Sequence, residues 1–270
     1  MSQLKNAVKN ILYTLVPKKN GLSDLRVLSG PAKGVRLRLD IRLNGSYWLG
    51  NYDKWIFDKV DFSKYIKPGH VVWDCGAYVG YYTAFFRKVV GDKGIVHTFE
   101  ASVSNYDMVK VLPANNKWTN VHIHNLAVGP DHTMLEFVDN LSGSSGPYGL
   151  SKEYKESISE LKINKVKCCG VDELVFEQGV DMPDFIKFDL ESAEVDALHN
   201  GDRVFKEKRP VILLELHGQK AKDAAGLFFE KYNYKAYIVS ELPNPKHELR
   251  SKNDFDQVNA IPHMVLCLPA

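Results

Sequence analysis

Carboxylates recur at the ends of apolar runs in this chain. Asp74 closes Val71–Asp74, Glu100 closes Ile95–Glu100, Asp189 falls at the end of Phe185–Leu190, and Glu215 ends the run from Pro210. One acid at the end of a strand is ordinary, but four in successive strands mark a site where hydroxyls or amines are gripped. Asp74 opens a turn, Asp74-Cys-Gly-Ala-Tyr-Val-Gly80, in which glycine lets the backbone approach a ligand. A dinucleotide turn reads Gly-x-Gly-x-x-Gly and cradles a pyrophosphate; here an anionic Asp74 repels phosphate and favours an ammonium. Glu100, about 20 residues beyond Gly80, is placed to accept hydrogen bonds from ribose hydroxyls. A nucleoside joined to an amino acid is S-adenosylmethionine.

A second group of residues suits proton removal. His217 is the first candidate base, because an ordinary imidazole is neutral at physiological pH. Glu215 and His217 lie two apart on an extended strand end and point the same way, and Glu191 and Glu194 are one helical turn apart. These four, with Asp189, also compose a donor set for Mg²⁺ or Ca²⁺, the less favoured alternative; no metal site is assigned. The remaining histidines lack such surroundings. Gly45–Asp53 is rich in glycine and aromatics, as are loops that close over ligands.

These residues need a scaffold that brings strand ends together. From Val71 onward apolar runs alternate with helical patterns: helices over about 78–90, 102–112 and 220–232, and strands at 71–74, 95–100, 121–125, 185–190, 210–216, 234–239 and 263–268. Strand candidates also occur at Met134–Val138 and Val166–Cys169. The alternation predicts an α/β fold with a mostly parallel sheet, helices on both faces and ligands at the carboxyl ends of the strands. The last two strands have no helix between them and should pair antiparallel at the sheet edge. Ahead of this body stand an amphipathic helix over residues 2–15, expected to pack on its own domain or on a partner subunit, with a membrane surface as the less favoured alternative, and a hairpin of Leu25–Leu28 with Val35–Leu39. The expected division is an N-terminal extension with a lid-like segment over 1–66 and a catalytic domain over 67–270.

With 44% hydrophobic and 25% charged residues among 270, the composition is that of a globular domain. No apolar run reaches the roughly 18 residues of a membrane span, and the start lacks a secretory pattern, so a cytoplasmic protein is expected, peripheral to the inner membrane face if the first helix binds lipid. Four cysteines without metal spacing read as structural thiols. Residues 1–70 hold 13 Lys/Arg against 5 Asp/Glu, and residues 71–270 hold 22 against 28. The basic front suits an anionic or lipid-linked substrate. The Asn-Pro-Pro-Tyr signature of DNA-amino methyltransferases is absent after Asp189, so nucleic acid is not expected as the acceptor.

Val71–Thr83, Phe99-Glu-Ala-Ser102, Asn125-Leu-Ala-Val128 and Ile186–Glu194 together resemble the FkbM-type methyltransferase family, and the resemblance extends over roughly residues 25–268. It implies a class I, Rossmann-like, seven-stranded fold and S-adenosylmethionine-dependent methylation of a hydroxyl, commonly on carbohydrates or secondary metabolites. A nicotinamide oxidoreductase and a non-catalytic S-adenosylmethionine-binding protein are the alternatives. Carried over by position, Asp74, Gly76, Ala77, Tyr78 and Gly80 would line the methionine end, with Thr83 supporting the turn. Glu100 would hold the ribose, and Ala101, Ser102 and Asn125 the adenine side. Asp189 would face the ammonium or the acceptor, and Tyr52 would close over the cofactor. Two departures stand out: Ser192 where the family has glycine, and Asp53 where it has glutamate.

Overall fold

The computed structural model describes residues 18, 21–139, 146–147, 162–258 and 263–270. The helix expected over 2–15 and most of the Gly/Ser-rich stretch 140–148 lie outside them. β1 (Ser23–Arg26) and β2 (Arg36–Leu39) form the expected hairpin, with Ser23 opposite Leu39. The parallel strands β3 (Val71–Cys75), β4 (Ile95–Phe99) and β5 (Val121–His124) follow. β6 (Ala127–Val128), β7 (Thr133–Asp139), β8 (Gly146–Pro147) and β9 (Lys162–Cys169) form a separate sheet in the order β6-β9-β7-β8. β10 (Phe185–Phe188), β11 (Val211–Glu215), β12 (Tyr234–Ile238), β13 (Glu248–Leu249) and β14 (Met264–Pro269) complete the main sheet.

That sheet runs β13-β12-β14-β11-β10-β3-β4-β5. Seven of its strands are those read from the sequence, and the eighth is the two-residue edge strand β13. β14 is antiparallel to both neighbours and is inserted between β11 and β12, so the closing pair is antiparallel but β13, not either member, holds the edge. The chain therefore has the α/β fold of class I methyltransferases.

Helix starts are set by turn chemistry rather than by apolar period. The helix after β3 spans Tyr81–Val90 because Tyr78 (φ 51°) and Gly80 (φ 79°) are left-handed, delaying helical geometry by three residues. Beyond β4, Ser102 caps Val103–Val109, its Oγ accepting from Asn105 N at 3.2 Å. Pro113 then opens a separate helix, Leu112–Asn116. Aromatic-rich Gly45–Asp53 contains a short helix, Gly45–Leu49, stopped by Gly50 in the left-handed region.

The sheet is buried on both faces. Trp73, Phe188, Phe205, Phe228 and Phe229 pack on one side, and Phe62, Phe86, Phe185 and Leu213 on the other. Hairpin residues Val27, Val35, Leu37 and Leu39 pack against Val79, Tyr81, Val109 and Leu112, pinning the extension to the turn after β3. All four cysteines are buried and unpaired. Among the described residues no helix is long and apolar enough to cross a membrane.

Candidate functional site

A cavity of about 390 Å³ opens at the carboxyl ends of β3, β4 and β10, within the range that holds a small organic ligand. Gly76, Tyr78, Glu100, Ala101, Asp189 and Glu191 line it, with Tyr47 and Tyr52 from the N-terminal segment. The two tyrosines stack with ring centroids 4.0 Å apart. Asn44 holds Tyr78 in place, its Nδ2 donating to the phenol oxygen at 2.7 Å. Phe99, Leu126, Val128, Leu135 and Phe137 supply apolar wall. The cavity thus has an apolar slot, an aromatic flank and an acidic side.

Glu100 stands where the slot meets the turn. Oε2 accepts from Tyr78 N at 2.7 Å and Oε1 from Ser102 N at 2.9 Å, which fixes the carboxylate plane. Burial pushes its pKa up to about 7 against the pull of those donors. Ser102 and Asn125, expected beside the adenine, do not line the cavity. Ser102 is fully buried as the helix cap, and Asn125 Nδ2 donates to the Glu100 carbonyl at 2.9 Å, so both hold the Glu100–Ala101 segment from behind.

Asp74 also sits behind the wall rather than on it. It is fully buried; Thr83 Oγ1 donates to its Oδ2 at 2.5 Å, and Lys187 Nζ lies 3.8 Å from its Oδ1. The expectation that Asp74 meets an ammonium directly is corrected by this geometry: the carboxylate points into the sheet, toward a lysine that the sequence reading left without a role. Thr83 supports the turn through this bond. Ala77 and Gly80 shape the turn without lining the cavity. Asp189 does reach the cavity. Burial disfavours its charge, yet the Lys187 ammonium at 3.0 Å more than reverses this and keeps its pKa low.

His217 stands beside the acidic side, outside the cavity lining. Its Nδ1 bonds Glu194 Oε1 at 2.8 Å, and its Nε2 lies 3.6 Å from Glu215 and 3.8 Å from Glu191. Burial opposes the charged ring, but the three carboxylates overcome it and push the pKa up to about 9. The expected neutral imidazole is therefore an imidazolium at neutral pH, because the same acids that mark the site also protonate its histidine. Glu194, fully buried, is a structural acceptor for Leu190 N and His217 rather than a solvated helix residue. Glu215 is raised by burial and by Asp189, with which it shares a hydrogen bond; His263 Nε2 lies 3.0 Å from it, toward solvent. Ligand atoms of Asp189, Glu215 and His217 lie within 4.8 Å of one another, close enough for one divalent cation. Lys187 and His263 already answer the two carboxylates.

Ser192, where the family pattern has glycine, adopts φ 83°. A side chain in that region is strained. Replacing Ser192 with glycine is expected to raise stability by about 0.5–1 kcal/mol, seen as a Tm increase of about 2 °C by calorimetry. An unchanged or lower Tm contradicts this.

Residues 74–258 match the family described as the methyltransferase FkbM domain. No curated protein sequence matches the chain. Solved structures similar to it include the FkbM methyltransferase of Methylobacillus flagellatus KT, at 15% identity and TM-score 0.43, over 85% of this chain and 60% of that one. Fibrillarin of Aeropyrum pernix with natively bound S-adenosyl-L-methionine has 9% identity and TM-score 0.41, over 76% and 68%. An S-adenosylmethionine-dependent O-methyltransferase of Thermotoga maritima has 11% identity and TM-score 0.38, over 76% and 61%. The chain thus spans about 60% of the length of the Methylobacillus protein.

Proposed function

The chain belongs to the FkbM methyltransferase family, and from that premise we propose that it transfers the methyl group of S-adenosylmethionine to a hydroxyl of a glycan, or of a secondary metabolite. The observation that carries the cofactor reading is Glu100, a buried carboxylate fixed by two backbone N–H groups at the cavity wall, as ribose hydroxyls require. The donor supplies an electrophilic methyl carbon. The protein's part is to hold it and the acceptor oxygen in line, exclude water and take one proton.

In this reading the apolar slot of Leu126, Val128 and Phe137 takes the adenine and Glu100 the ribose. Asp189 and Glu191 line the end where the methyl would lie, and Tyr47 and Tyr52 shield it from solvent. The base moves from His217 to the hydrogen-bonded carboxyl pair Asp189 and Glu215. Asp189 faces the cavity; Glu215, whose pKa is raised to about 8, accepts the proton in its ionised form, a larger fraction at neutral pH than the neutral form of His217, and lies 3.0 Å from the exposed His263. The His217 imidazolium balances the surplus of carboxylates.

Calorimetric titration is expected to show binding of S-adenosylhomocysteine and none of NAD(H). The Glu100→Gln variant is expected to bind about 10- to 100-fold more weakly, the loss of charge-assisted hydrogen bonds to the ribose. Binding of NAD(H) alone would replace this proposal with an oxidoreductase. The acceptor is then sought by mass spectrometry of glycan and metabolite pools after incubation with methyl-labelled donor; binding without labelling of any pool would favour a non-catalytic cofactor-binding protein.

A further inference from the structure

A lysine in the middle of a strand buried on both faces loses its hydration, a cost of several kcal/mol unless anionic partners replace the water. Lys187 is such a residue, 2% exposed, between Ile186 and Phe188. Its ammonium donates to Asp189 Oδ2 at 3.0 Å and to the Gly76 carbonyl at 3.2 Å, and lies 3.8 Å from Asp74 Oδ1. The Tyr82 ring centroid is 5.0 Å away. Asp74 Oδ1 has no hydrogen-bond partner, so its charge is answered by the lysine. One cation therefore touches the turn after β3, the end of β10 and both strand-end carboxylates, the buried Asp74 and the half-buried Asp189, of which only Asp189 reaches the cavity.

We propose that Lys187 is a positioning residue for cofactor binding: it ties the Gly76 turn to the end of β10 and sets the Asp189 carboxylate at the wall, where it meets the cofactor's ammonium. The proposal rests on the reading of the cavity as an S-adenosylmethionine site. Asp74 becomes the counter-ion of the lysine instead of a ligand of the cofactor. Two carboxylates and one ammonium leave a surplus negative charge under the cavity floor, which suits the ammonium and sulfonium of this donor and disfavours a pyrophosphate.

Besides Lys187, the groups facing Asp189 are Asp74 from β3, Tyr82 from the helix after it, Glu215 and His217 from the end of β11, Tyr52 and Asp53 from the N-terminal segment, and Glu191 beyond β10. Without the lysine, Asp189 is left mainly among acids, and its protonation rises toward neutral pH. The test is calorimetric titration with S-adenosylhomocysteine from pH 6 to 9 of the wild type, Lys187→Met, Lys187→Met/Asp74→Asn and Asp189→Asn. The double variant leaves no buried carboxylate unpaired at Asp74, and Asp189→Asn keeps the lysine and its Gly76 bond. Relative to the wild type, both lysine variants are expected to bind at least tenfold more weakly at pH 6 and to recover toward pH 9; Asp189→Asn is expected to be weak with no such recovery. Titration of Glu100 and of the ligand amine is common to all four and drops out of the comparison. Unchanged affinity in the lysine variants, or a loss equal at every pH, overturns the proposal. Failure of the wild type to bind overturns the cavity reading, and this proposal with it.

Discussion

Replacing Gly76 with alanine is expected to destabilise the protein by more than about 3 kcal/mol and to abolish binding of S-adenosylhomocysteine. Two independent costs add at this residue. Its φ of 83° is left-handed, a conformation that costs an alanine roughly 1–2 kcal/mol. A Cβ there would also lie 1.8 Å from the carbonyl oxygen of Asp189, inside contact distance of backbone that cannot rotate away. Relief requires the ends of β3 and β10 to part, which removes Lys187 from the Gly76 carbonyl and Asp189 from the cavity wall. Gly34 provides the control. It has φ 85° but nothing within 4 Å of its added Cβ, so Gly34→Ala is expected to cost only about 1 kcal/mol. Equal losses in the two variants, measured by urea unfolding, would show that the close approach of the strands contributes nothing.

Glycine and acid positions were legible because their spacing along the chain survives folding. Asp74, Glu100, Asp189 and Glu215 each end a strand of one sheet, and such ends converge by topology alone. Which carboxylate faces the ligand was not legible. Asp74 and Asp189 are both strand-end acids, and the difference between them is set by Lys187, packed between the two strands. The lysine left a signal, a charge inside the apolar run Phe185–Phe188, but its meaning depends on the register that sets Lys187 beside Asp74. Ser102 and Asn125 stay off the cavity lining for a related reason: short polar side chains beside a turn satisfy local backbone first. The cavity's far wall was missed because Leu135 and Phe137 belong to the sheet of β7 and β9, where Met134 pairs with Lys167 across a long sequence separation. His217 is legible as a member of the acidic cluster, whereas its protonation is not, since Glu194, Glu191 and Glu215 set it from two strand ends.

That protonation has a measurable consequence: the ligand-free protein is expected to lose about 3 kcal/mol of stability between pH 6.5 and 9. His217 has its ordinary pKa near 6.5 when unfolded and about 9 when folded. The folded state thus binds its proton more tightly, a gain fully present below pH 6.5 and lost as pH rises through 9. A displacement of this size corresponds to about 3 kcal/mol, and the side chain, 22% exposed, is shielded enough for most of it to be realised. Glu215, a carboxyl raised by burial and by Asp189, contributes in the same direction, because ionising it costs more in the folded state. At lower pH two effects oppose each other. Glu100, raised to about 7 by burial, loses stability as pH climbs from 4.5. His124, lowered to about 4 by burial and by His97 and His122, gains stability over nearly the same interval. Glu215, raised to about 8, loses stability across that interval as well, so the profile is expected to fall from about pH 4.5 and to steepen beyond 6.5 as His217 joins it, a Tm decrease of about 6–12 °C between pH 6.5 and 9 from His217 alone. His217→Gln should remove the steepening, since a neutral amide at that position has no proton to lose. A decline of equal depth in His217→Gln would place the titrating group elsewhere and return His217 to the role of a neutral base.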